Sequence, residues 1–182
     1  MTAAEILELK QFAKNNTYLA HGDISKADCV IGFSFGYLDT KDGVKPGKSN
    51  AQLADFIKTY FPNKPLILQF EISDALKQRT AALVIRESRK KDEYLNSKEI
   101  AEQALIFMNQ HNWKTAAIVT HPAMVARNDT LCQKLGILTV VPNGLETIEY
   151  ETNSAQAWTR DKNSWWERES KVIDFCLDND WL

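Results

Sequence analysis

Cysteine is scarce in this chain and poorly placed for bonding. Cys29, Cys132 and Cys176 are far apart and odd in number, with no CxxC or Cys/His pair. That excludes a disulfide framework and a cysteine-based zinc site. Cys29 and Cys132 fall in apolar strand and helix patterns and are expected as small buried hydrophobes. No apolar run is long enough to span a bilayer, and Met1–Glu5 carries neither the basic nor the apolar stretch of a secretory leader. The expectation is a soluble cytoplasmic protein with no membrane insertion. A surplus of positive charge is missing too. Lysine and arginine number 22 against 24 acidic residues, net −2, and the basic residues are dispersed. Such a surface attracts a polyanion poorly, which argues against nucleic acid as a partner. The run from Arg86 to Glu93 mixes both signs and reads as a solvated loop. No internal repeat or low-complexity segment is present.

What is there fits one domain over residues 1–182, with a core at 27–141 and a tryptophan-rich C-terminal segment and helix at 142–182. A hydrophobic content of 44% over 182 residues suffices for a real core. Thr2-Ala3-Ala4-Glu5 is a capping-box pattern opening a first helix. Asp28-Cys29-Val30-Ile31-Gly32-Phe33-Ser34-Phe35-Gly36 reads as a buried strand running into a glycine turn. A long loop follows from Tyr37 to Lys48, ending at a second capping-box pattern, Ser49-Asn50-Ala51-Gln52. Leu66–Phe70 is another buried strand, with a short helix expected after Ser73. Ala82–Ile85 is ambiguous between strand and helix tail. Asn96 and Glu99 signal a helix reaching about residue 111. Ala116–Val119 is a strand, the segment from Pro122 to Leu135 a helix stopped by Gly136, and Ile137–Val141 a strand. Ser164-Trp165-Trp166-Glu167 opens the final helix. Short apolar strands alternating with helices predict an α/β fold with a mostly parallel sheet and helices on both faces, three layers in all.

Two strand ends carry the candidate chemistry. Thr120 and His121 sit where a strand meets a helix opened by Pro122, a place where backbone N–H groups favour anions. Thr120 or His121 could instead merely cap the helix, a reading that explains Thr120 well and His121 less well. Asn128 falls in the middle of that helix's apolar face, where it must bind a neighbouring loop or face a crevice. Arg127 lies at the flank, free to reach the helix start or to face solvent. At the other strand end Gly32, Ser34 and Gly36 are small enough for a ligand to approach the backbone. Ser49 and Asn50 would donate at a second helix start. GxGxxG and GxxxxGK[ST] are both absent. GxSxG does occur, as Gly32-Phe33-Ser34-Phe35-Gly36, but a long loop rather than a helix follows it, so Ser34 with His121 as its base is a minor alternative.

Together, Asp28–Gly36, Ser49-Asn50 and Thr120–Gly136 resemble the YdcF-like family, with its SanA and ElyC types. The resemblance spans roughly residues 27–141. It implies a Rossmann-type α/β/α domain without a generally assigned reaction. Two departures stand out. The family commonly has a histidine four residues after the strand-end threonine, where this chain has Met124, although Arg127 matches. Its second strand often ends in Ser-Gly-Gly, where this chain reads Gln69-Phe70-Glu71. The expected partner is a small anionic or nucleotide-like molecule in the crevice between the two strand ends, with transferase or hydrolase chemistry if any. His121 would be the acid or base, assisted by a carboxylate such as Asp39 or Glu71. The pattern names no cofactor and no metal constellation. The alternative is an interaction or regulatory domain that has lost the family's site.

Overall fold

The computed structural model describes residues 1–77 and 79–182. Helix α1 (Ala3–Asn15) starts as its sequence predicts. The Thr2 hydroxyl accepts from the Glu5 N–H, the Glu5 carboxylate accepts from the Thr2 N–H at 2.6 Å, and Leu9 and Ala13 turn into the core. Strand β1 (Cys29–Gly32) is buried throughout. The span expected as an open loop contains a hairpin, β2 (Leu38–Thr40) paired antiparallel with β3 (Gly43–Lys45). Then follow α2 (Lys48–Tyr60), β4 (Leu66–Gln69), α3 (Phe70–Leu76) and β5 (Leu83–Ile85). The second half runs α4 (Ser97–Gln110), β6 (Thr115–Val119), α5 (Pro122–Lys134), β7 (Leu138–Val140) and α6 (Lys162–Asp178).

Three helix starts differ from the sequence patterns. Helix α3 begins directly after β4, at Phe70, rather than beyond Ser73. The first residue of α2 is Lys48, with Gly47 at the cap and no side-chain capping bond, so Ser49 is inside the helix. Helix α6 starts at Lys162 because the Asp161 carboxylate accepts from the N–H groups of both Asn163 and Ser164 at 2.9 Å.

The five sheet strands are all parallel and lie in the order β5-β4-β1-β6-β7. Counted along the chain, that is 3-2-1-4-5, the Rossmann-like arrangement. Its order reverses between β1 and β6, leaving a crevice beyond the carboxyl ends of those two strands. Their register, Gly32 beside Val119, puts both ends on the same rim. Helix α2 packs on α3, while α5 packs on α1 and α4. Strands β1 and β6 are apolar along almost their whole length because helices cover the sheet. Among the described residues, no helix is long and apolar enough to cross a membrane.

Candidate functional site

A cleft of about 280 Å³ opens at the carboxyl ends of β1, β4, β5 and β6. Ser34 and Gly36 reach it from β1, Gln69 and Glu71 from the β4–α3 junction, and Arg86 from beyond β5. Met124 and Arg127 of α5 and Trp165 and Arg168 of α6 close the far side, with Val44 of the hairpin at the margin.

The turn after β1 is held by the protein itself. The Ser34 N–H donates to Gln69 Oε1 at 3.0 Å. Asn50 grips the next two residues: its Oδ1 accepts from the Phe35 N–H at 3.0 Å and its Nδ2 donates to the Gly36 carbonyl at 2.7 Å. Gly36 has φ +67°, and a Cβ there would lie 2.7 Å from Thr159 Oγ1, so both backbone and space require glycine. Gly32 serves packing instead, since a Cβ would meet Leu68 Cδ2 at 2.6 Å. The sequence expectation of ligand donors at Ser49 and Asn50 needs correction. Both are fully buried and outside the cleft, and the Ser49 hydroxyl donates to the Glu149 carbonyl at 2.6 Å. The α2 N-terminus does attract an anion, but it is the chain's own: Glu151 accepts from the Lys48 N–H.

The end of β6 is likewise built inward. Thr120 is buried, with Oγ1 3.9 Å from Met124 Sδ. His121 caps α5, its Nδ1 accepting from the Ala123 N–H at 3.3 Å, and its ring stacks on Phe35 at 3.8 Å. Burial pulls the imidazole down to about 3, so it stays neutral at physiological pH. His121 does not line the cleft, and among the described residues its Nε2 is buried with no hydrogen-bond partner, so neither the serine–histidine pairing nor a carboxylate-assisted acid–base role at His121 is assembled. Asp39 stays exposed on the hairpin. Arg127, expected at the flank of its helix, is buried and grips Glu169 of α6 through Nε and Nη2, while its Nη1 donates to Asn128 Oδ1 at 3.3 Å. It borders the cleft with its charge already matched. Asn128 is wholly buried against it and away from the cleft.

The cleft's free chemistry comes from other residues. Arg168 lies with its guanidinium 4.8 Å from the centre of the Trp158 ring and makes no ion pair among the described residues. Burial lowers it from its ordinary value, with Glu169 opposing, and it remains a cation. Arg86 pairs with Asp74 at 3.0 Å, an exposed contact of small worth, and sits 5.6 Å from the Phe70 ring centre. Glu71 is buried, and among the described residues its Oε2 has no hydrogen-bond partner. Burial pushes this carboxyl up to about 7, opposed by hydrogen bonding from its own N–H and from Ser34. Arg168 had a signal in the sequence, because Trp165, Arg168 and Val172 share the i, i+3, i+7 stripe that lines the cleft. Gln69 and Arg86 had none, since only the sheet order brings their strands beside β1.

Comparison with protein-family models, with curated proteins and with solved structures finds no match to this chain.

Proposed function

We propose that the protein is a soluble, divergent YdcF-like domain that binds a small anionic, nucleotide-like molecule in this cleft. The observation that carries the reading is Arg168, a half-buried guanidinium with no carboxylate partner among the described residues, laid over Trp158 inside a cleft at a sheet's switch point. A guanidinium in that setting favours phosphate or carboxylate, which it can hold with two parallel hydrogen bonds. Tyr94, Trp165 and Phe70 give the same cleft planar faces for a base or ring. A volume of about 280 Å³ lies at the lower end for ligand pockets and suits a mononucleotide or sugar phosphate better than a dinucleotide. If the ligand is transformed, by transfer or hydrolysis, Ser34 and Glu71 are the groups placed to handle protons.

Thermal denaturation with a panel of nucleotides, sugar phosphates and sulfate tests this. A ligand at about 100 times its Kd stabilises by about 2.7 kcal/mol, which raises Tm by roughly 5–10 °C in a domain of this size. Arg168→Gln should weaken such a ligand by roughly 10–150-fold, the worth of a hydrogen bond to a charged group. No stabilisation by any member, or stabilisation that Arg168→Gln leaves intact, refutes the reading. A binding domain without catalysis is the second reading. Met124 favours it, because that residue lines the cleft where the resembled family has a histidine. It predicts ligand binding with no turnover.

A further inference from the structure

Glu71 is a carboxyl group that the fold has taken out of water without pairing it. The residue is 4% exposed and lines the cleft, and among the described residues Oε2 has no hydrogen-bond partner and is the one buried unpaired acceptor there, Trp165 Nε1 being an unpaired donor. A buried polar oxygen left in this state marks a place where a partner is expected from elsewhere. The cations nearby do not supply one. Arg86, beyond β5, draws on Glu71 electrostatically but pairs with Asp74 of α3, and Arg127 of α5 is taken by Glu169. Ser34 beyond β1 is its polar neighbour, Arg168 of α6 lies over Trp158, and Tyr37 and Tyr94 complete the titratable lining. Helix α2, packed on α3, sends no charged side chain into the cleft among the described residues. Next to Glu71, the Gln69 oxygen is used by the Ser34 N–H.

We propose that the ligand carries, besides its anionic group, a hydrogen-bond donor that pairs with Glu71 Oε2, so that Arg168 and Glu71 hold two ends of one molecule. The proposal rests on the anion-binding reading and narrows it to phosphate or carboxylate compounds bearing an N–H or O–H, as against bare anions. An ionised carboxylate only accepts hydrogen bonds, and accepts them strongly. A donor-bearing ligand therefore draws Glu71 toward its ionised form and binds more tightly as pH rises from 6 to 8. A bare anion gains nothing from that ionisation, because a second negative charge appears beside it.

Calorimetric titration of sodium sulfate, ribose 5-phosphate and guanosine monophosphate, at pH 6 and pH 8, tests this on the full chain and on Glu71→Gln and Arg168→Gln. Phosphate gains charge of its own near pH 6, so the pH effect is read as the difference between wild type and Glu71→Gln. At pH 8 at least one phosphate compound should bind Glu71→Gln about tenfold more weakly than wild type, the margin between a charged and a neutral acceptor, while sulfate changes less than twofold or binds better. Which compound responds separates a hydroxyl donor from a base N–H. In wild type alone, repeating the titration at pH 7 in two buffers of different ionisation enthalpy should show the responding compound releasing clearly more than the roughly 0.1 proton that a phosphate titrating near pH 6 still carries at pH 7, and sulfate none, a measurement independent of how the variant folds. Equal losses for sulfate and the phosphates, or a change under twofold for both phosphates, overturns the Glu71 proposal while leaving Arg168 standing. Failure of all three compounds to bind wild type removes both.

Discussion

Removing Arg127 should unfold the protein's C-terminal docking rather than merely thin out a binding site. Arg127 and Glu169 face each other with side chains 6% and 0% exposed, joined through two nitrogens and two oxygens. Arg127→Ala strands a carboxylate that water cannot reach. Breaking one side of a buried pair costs about 3–5 kcal/mol, and at 2–4 °C per kcal/mol for a domain of this size that is a Tm fall of roughly 6–20 °C. Replacing both partners together, Arg127→Met with Glu169→Leu, takes away the stranded charge along with the pair. The double variant should lie within about 1 kcal/mol of wild type or above it. Urea denaturation followed by tryptophan fluorescence measures all three, and an unchanged m-value shows that the same surface unfolds. The reasoning is refuted if Arg127→Ala loses less than 1 kcal/mol, or if the double variant is as unstable as the single. The double variant also separates two explanations of lost ligand binding. Binding retained there, and lost in Arg127→Ala, assigns Arg127 to the scaffold; binding lost in both assigns it to the ligand.

Two further outcomes follow from buried polar groups. The Glu71 carboxyl titrates at about 7 when folded against an ordinary 4.5, so the folded chain holds a proton that the unfolded chain has released. Its contribution to stability is therefore intact below pH 4.5 and declines as pH rises to 7 and above, by roughly 3 kcal/mol in all. Glu71→Gln should flatten that decline in urea midpoints measured from pH 4.5 to 8, and parallel profiles for variant and wild type contradict it. Asn50→Ala leaves a buried Phe35 N–H and Gly36 carbonyl without partners, which should cost about 2–4 kcal/mol. Hydrogen exchange at the Phe35 amide should accelerate in step, and unchanged protection there would show that the turn does not depend on Asn50.

The periodicities carried most of the fold. Cys29–Gly32, Leu66–Gln69 and Thr115–Val119 are short apolar runs bounded by polar or turn residues, and all three became buried parallel strands. Local pattern failed where a distant group intervenes. Ser49-Asn50-Ala51-Gln52 has the form of a helix start, yet α2 opens earlier because Glu151, far along the chain, takes the Lys48 N–H and the Glu149 carbonyl takes the Ser49 hydroxyl. The hairpin at 38–45 pairs residues that are exposed or at most half-buried, so it lacks the apolar alternation that marks a strand. Among the site candidates, Ser34, Gly36 and Arg127 do border the cleft. Gly32, Ser49, Asn50, Thr120, His121 and Asn128 form its supports instead.

The order of residues by itself determined that strands alternate with helices, that the central strands β1, β4 and β6 are apolar runs, and that small residues follow β1 while a proline opens the helix after β6. Those follow from hydrophobic spacing and backbone freedom, which act over a few residues. Only the tertiary structure decided which polar groups remain unsatisfied. Whether a carboxylate or guanidinium is free depends on what the sheet order and the C-terminal helix bring against it. Glu169 and Glu151, more than forty and a hundred positions from the groups they hold, consume the expected sites at Arg127 and the α2 start, while Arg168 and Glu71 are left facing the cleft.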